Sequence, residues 1–117
     1  MGQLTTHVLD ISAGLPAAGV RIELHERTGE GLRLLMATAT GPDGRVAAAL
    51  LAGKDFKAGT YQLTFHTAEY FRARGVQLPE PAFLERACIE VGIAVPEQHY
   101  HVPLLIAPWS YSVYRGG

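Results

Sequence analysis

The sequence predicts an all-β fold, a sandwich of two sheets with one short helix. Three observations support this. Short segments of alternating apolar and polar residues recur along the chain, separated by Gly and Pro, as in sandwiches and barrels. Only one stretch, TAEYFRARG, reads as a helix. The 117 residues fit one domain, residues 1–117, with no internal repeat, low-complexity run or Gly/Ser linker.

The first strand is expected over 4–10, where Thr5, His7 and Leu9 share one face and Val8 and Asp10 the other. SAGLPAAG then reads as a loop. In the strand expected over 19–27, Val20, Ile22 and Leu24 alternate with Arg21, Glu23 and His25, which is the pattern of a half-buried strand with one wet side. A strand over 32–39 leads into the turn GPDGR, where Pro42 presets its own φ and Gly44 can take a positive one. Arg45 heads the strand expected over 45–51, and an Arg in that place is ordinarily a solvated edge charge. Tyr61, Leu63 and Phe65 form the inward face of 60–66. Thr67 can cap the helix that follows, Glu69 sits in its first turn, and Gly75 can end it. LPEPAF is a loop, and three more strands are expected over 86–93, 99–106 and 110–115.

Composition excludes several classes of function. Hydrophobic residues make up 48% of the chain and charged residues 18%, the balance of a globular protein. Ten Lys and Arg against eleven Asp and Glu leave no basic footprint for nucleic acid or an anionic membrane. Cys88 stands alone, so no intrachain disulfide forms. The opening residues lack a basic region followed by an apolar run, and no apolar stretch reaches the roughly 18 residues of a membrane span. A cytoplasmic protein is the expectation.

The polar residues that are out of place lie at the chain end, HYHVPLLIAPWSYSVYRGG. Tyr100, Val102, Leu104 and Ile106 form the core side of their strand, while His99 and His101 share the other face with Pro103, Leu105 and Ala107. A strand that is apolar on both faces is covered on both, and a second subunit can supply the cover. His-x-His on a strand also suits a metal, but zinc takes at least three protein ligands and no third stands at a telling spacing. No metal and no cofactor are expected. His25 and His66 read as solvated surface residues, and Cys88 as a half-buried thiol.

THVLDISAGLPAAGV, GPDGR and the terminal H-Y-H-V-P-L-L with its closing Y-S-V-Y-R-G together resemble the 5-hydroxyisourate hydrolase family, the transthyretin-related enzymes of purine degradation. The likeness runs along essentially the whole chain. It implies a transthyretin-like sandwich of two four-stranded antiparallel sheets. It also implies a homotetramer, a dimer of dimers, with active sites in a channel between dimers. The implied reaction is hydrolysis of the N1–C6 amide of 5-hydroxyisourate.

Carried over position by position, the implied catalytic residues are His7, Arg45 and His101. Tyr114, Arg115, Gly116, Gly117, His99 and Ser112 are the implied substrate-binding residues. Carriers of thyroid hormone with this fold have Lys, Glu, Thr and Thr where this chain has His7, Arg45, His101 and Tyr114. A binding module without chemistry is the alternative reading, and three ionisable side chains in the channel argue against it. One departure stands out. The family usually closes Y-R-G-S, and this chain closes with Gly117, at the cost of one hydroxyl and at most about 0.5–1.5 kcal/mol of hydrogen bonding.

Overall fold

The computed structural model describes residues 2–117; Met1, the first residue of the expected domain, lies outside that range. Nine strands and one α-helix are found among the described residues: β1 (Gln3–Asp10), β2 (Leu15–Pro16), β3 (Arg21–Thr28), β4 (Gly31–Ala39), β5 (Leu51–Ala52), β6 (Gly59–Phe65), α1 (Thr67–Ala73), β7 (Ala87–Ile93), β8 (Tyr100–Ala107) and β9 (Ser110–Val113). They form two sheets. One is ordered β4-β3-β6-β7, and the other β2-β1-β8-β9 with β5 also paired to β1.

The alternation read from the sequence defines the core. Val20, Ile22, Leu24, Leu63, Phe65, Leu104 and Ile106 are all 0% exposed. Apart from Val20, which immediately precedes β3, they are the inward positions of β3, β6 and β8, where aliphatic and aromatic side chains fill the space between the two sheets. β1 alternates strictly, with Leu4, Thr6, Val8 and Asp10 buried and Thr5, His7 and Leu9 half-buried.

Four expectations need correction. The second sheet is not wholly antiparallel, because β1 and β8 run parallel, with Thr5 opposite His101 and His7 opposite Pro103. Residues 45–51 are not a strand. Arg45 makes an isolated bridge to His7, and pairing resumes only at Leu51 and Ala52. The run Ala47–Ala49 between them has little strand propensity, and its small side chains offer nothing to a neighbouring strand. Thr67 is the first helical residue rather than the cap; His66 takes the cap position without a side-chain bond. Gly75 does end the helix, at φ 88°, with Val76 N–H bonded to Phe71 O at 3.0 Å and Gly75 N–H to Arg72 O at 3.0 Å. Finally, three expected exposures change: His25 and His66 are half-buried rather than freely solvated, with His66 Nε2 3.0 Å from Glu23 Oε1, and Cys88 is exposed rather than half-buried.

Asp10 closes β1 as a carboxylate only 1% exposed. A buried charge needs partners, and Asp10 has several. Its Oδ1 accepts from Ser12 Oγ at 2.5 Å, Ser12 N at 3.0 Å and Ala13 N at 3.2 Å. Its Oδ2 accepts from Tyr70 Oη at 2.9 Å, which ties β1 to α1. Burial pushes its pKa up, but the bonds from Ser12, Tyr70 and Ala13 outweigh that and hold it below the ordinary 3.8. A carboxyl whose folded pKa is depressed stabilises the fold above its unfolded value, and that contribution is lost as pH falls through the folded one. Tyr70→Phe is therefore expected to cost about 1–3 kcal/mol at neutral pH, and less once Asp10 is protonated in acid. Urea melts at neutral and acid pH check this; an equal loss at both would remove Asp10 from the explanation.

Candidate active site

The parallel register of β1 and β8 builds the site. It places Thr5 and His7 of β1 on the same outer face as His101 and Pro103 of β8. His7 Nδ1 lies 3.0 Å from His101 Nε2, and the two rings are nearly coplanar in orientation, 11° apart with centroids at 5.2 Å. Thr5 Oγ1 lies 2.7 Å from His101 Nδ1. Both nitrogens of His101 are thus engaged inside the protein.

Arg45 reaches this pair through the turn that precedes it. Gly44 N–H bonds to Gly41 O at 2.9 Å, Val8 N–H to Gly44 O at 2.8 Å, and Asp43 Oδ1 accepts from Arg45 N at 2.9 Å. Gly44 has φ 77°, and a Cβ there would stand 2.4 Å from Val8 O. Only glycine tolerates both the conformation and the approach. The result is the antiparallel bridge that sets Arg45 directly opposite His7. Among the described residues the Arg45 guanidinium has no carboxylate partner, so its donors are free for a ligand.

The electrostatics follow from this geometry. Burial, then the Arg45 and His101 charges, lower the His7 pKa below the ordinary 6.5, against a smaller opposing pull from Asp43. Burial and then Arg45 lower that of His101 as well. Both imidazoles are therefore neutral at pH 7, the state in which a histidine can accept a proton. A cleft of about 610 Å³ opens beside them, lined by Thr5, Arg45, His99, His101 and Gly117, with Val46 to Ala49 as a wall of small side chains.

Among the residues singled out in the sequence, this cleft brings together His101, Arg45, His99 and Gly117, and His7 joins them through its bond to His101. Gly116 takes part by its shape. Its N–H bonds to His101 O at 2.7 Å, and a Cβ on it would stand 2.9 Å from His101 Cδ2 and 3.3 Å from Pro103 Cγ. The chain end therefore packs on the His101 face of β8 and supplies part of the cover that the apolar second face called for.

Other expected residues lie elsewhere in the chain. Tyr114 and Arg115 border a separate groove of about 430 Å³, with Ile89, Val91 and Val102. Arg115 anchors the tail: its Nη2 donates to His99 O at 2.9 Å and Gln98 Oε1 at 3.2 Å, and its guanidinium carbon sits 4.0 Å from the Tyr100 ring centroid. Ser112 is exposed, opposite Leu105 on β9. Thr5 and Asp43 were missed in the sequence. Thr5 shares the His7 face, but only the pairing of β1 with β8 shows that it meets His101. Among the described residues no cluster of three or more metal-ligating side chains is found.

These features can be set beside known proteins. A family model described as HIUase/Transthyretin family matches residues 4–116. The chain is 55% identical to the 5-hydroxyisourate hydrolase of Pseudomonas aeruginosa over 99% of its length and 92% of that protein. Its structure resembles that of Klebsiella pneumoniae 5-hydroxyisourate hydrolase with a TM-score of 0.82, 38% identity and 100% of both chains covered. It also resembles a crystal structure of (S)-allantoin synthase with a TM-score of 0.92 and 43% identity, and there it spans 44% of the longer chain. The chain belongs to the HIUase/Transthyretin family.

Proposed function

We propose that this protein hydrolyses 5-hydroxyisourate in purine degradation, opening the six-membered ring at the N1–C6 amide to give 2-oxo-4-hydroxy-4-carboxy-5-ureidoimidazoline. The observation that carries this reading is the His7–His101 pair, bonded at 3.0 Å beside Arg45, in a chain 55% identical to a 5-hydroxyisourate hydrolase. Water is a poor nucleophile at neutral pH, and an amide carbonyl resists attack. The cleft offers a remedy for each. An imidazole of the pair takes a proton from water as its oxygen bonds to C6. Arg45, always protonated, donates to the oxyanion that develops on the carbonyl. The C6–N1 bond then breaks, and the proton held by the imidazole passes to N1. No metal or cofactor enters this scheme.

A flat, polar, oxidised purine suits a cleft walled by alanines, and Gly117 reaches it with main chain alone. In this reading the chain works as a cytoplasmic homotetramer. The surface supports an assembly: Trp109 and Tyr114 are 59% exposed, Tyr111 37% and Val113 36%, an apolar strip along β9 and its flanks that a monomer rarely shows. Tyr114 belongs to this strip and Ser112 lies on the opposite face of β9, opposite Leu105; a substrate role for either is most economically supplied to a neighbouring protomer.

With 5-hydroxyisourate generated in situ from urate, the protein is expected to accelerate its ultraviolet decay over spontaneous hydrolysis. His101→Asn should lower turnover by about 10²–10⁴, and Arg45→Glu should abolish it. Both variants should keep the wild-type sedimentation mass of about 50 kDa, four copies of the 12.6 kDa chain. Wild-type rates in either variant remove that residue from the scheme, and a mass of a single chain removes the tetramer.

The lowered histidine pKa values give a pH signature. A base whose pKa lies below 6.5 stays neutral to lower pH than an ordinary histidine. The acid limb of the turnover profile should therefore reach its half-loss below pH 6.5. A loss already half complete above 6.5 would show that the working base is not this pair.

A further inference from the structure

The hydrogen bonds of the site distinguish the two histidines. His101 Nε2 is taken by His7 and its Nδ1 by Thr5, at 3.0 and 2.7 Å. His7 Nδ1 is taken by His101, and among the described residues His7 Nε2 has no protein partner and is not a buried orphan. It is the one ring nitrogen of the pair left open. In a neutral pair a single proton lies between His7 Nδ1 and His101 Nε2. If His101 holds it, His7 must carry its own proton on Nε2, and no lone pair faces outward. If His7 holds it, His7 Nε2 is bare, and His101 must carry its proton on Nδ1, where the only acceptor in reach is the Thr5 hydroxyl.

We propose that Thr5 is a positioning residue of the reaction: its hydroxyl accepts the Nδ1–H of His101, so that His101 Nε2 accepts the Nδ1–H of His7 and His7 Nε2 is the basic atom of the pair. This deepens the hydrolytic reading and rests on it. When His7 Nε2 takes the proton of the attacking water, the imidazolium charge spreads through the bond to His101 Nε2, and Thr5 continues to accept from His101 Nδ1. When the amide breaks, the proton leaves from His7 Nε2 to N1, and the starting state returns. Thr5 touches no reacting atom. It is held for the task by the β1–β8 register, which puts it directly opposite His101, and the neighbouring Thr6 hydroxyl locks the same pairing by donating to Val102 O at 2.6 Å.

Long-range proton–nitrogen NMR on protein carrying nitrogen-15 histidine tests the assignment, with the single His7→Asn and His101→Asn variants identifying the signals. At mildly alkaline pH the wild-type protein should show His101 protonated on Nδ1 and bare on Nε2, and His7 bare on Nε2. Thr5→Val keeps the shape and removes the hydroxyl. It should move His101 toward the Nε2–H form and lower kcat about tenfold with little change in KM. Thr5→Ser should restore both. A wild-type His101 protonated on Nε2, a tautomer unmoved in Thr5→Val, or a Thr5→Val enzyme with wild-type kcat would each overturn the proposal. Should Thr5→Val fail to fold, the wild-type tautomer still decides. Should the wild-type protein leave 5-hydroxyisourate untouched, the proposed reaction falls, and the tautomer measurement settles the Thr5 assignment independently.

Discussion

The parallel pairing of β1 with β8 is the constraint on which the site depends. It sets Thr5 opposite His101 and brings His7 within hydrogen-bond distance of the same ring. Side chains alternate along a strand, so a slip of one residue would bury the histidines and turn Val8 and Leu104 outward. The core forbids that slip, since both are 0% exposed. The apolar side of β1 and β8 thus fixes the chemistry of the polar side. The other edge of β1 is divided among β2, Arg45 and β5, and this interrupted pairing is what lets a non-strand residue present its guanidinium to the cleft.

Two histidines in contact beside an arginine would repel one another if both were charged. Burial and Arg45 keep them neutral, and neutral imidazoles can share a proton instead of competing for water. In the proposed reaction the positive charge that disfavours protonation of the base is the same one that would stabilise the oxyanion, so a single residue would serve both requirements. The chain end contributes in the same way. Arg115 holds the tail to the start of β8, and Gly116 lies flat against the His101 ring because it has no side chain. The crowding of chemistry near the terminus has a structural reason: the tail is part of the wall that orients the imidazole.

Much of this was legible in the sequence, and the failures have physical causes. Alternation in 19–27, 60–66 and 99–106 identified the inward faces because those strands bury one side and wet the other. Alternation failed at 45–51, where VAAALL is apolar enough to suggest a strand but too small to pack as one. It set Asp10 on the face of Val8 but gave no reason for a carboxylate to be buried there, since that burial depends on Tyr70 arriving from α1, a contact sixty residues away in the chain. His7, Arg45 and His101 came from resemblance, and no local spacing connects them. Thr5 was invisible for a related reason. Its role depends on which strand lies beside β1 and in which direction, and a parallel neighbour nearly a hundred residues distant leaves no periodic trace. Tyr114 shows the reverse case: it is prominent in the motif, yet in the single chain it faces a different groove.

The central claim is that His7 and His101 act as one hydrogen-bonded unit. A double-mutant cycle in kcat with His7→Asn, His101→Asn and the double variant measures this directly. Residues that work as a unit lose their effect together, so the double variant should turn over about as fast as the slower single variant. Losses that multiply in the double variant would mean that the two imidazoles contribute independently, and the shared-proton account of the site would be wrong.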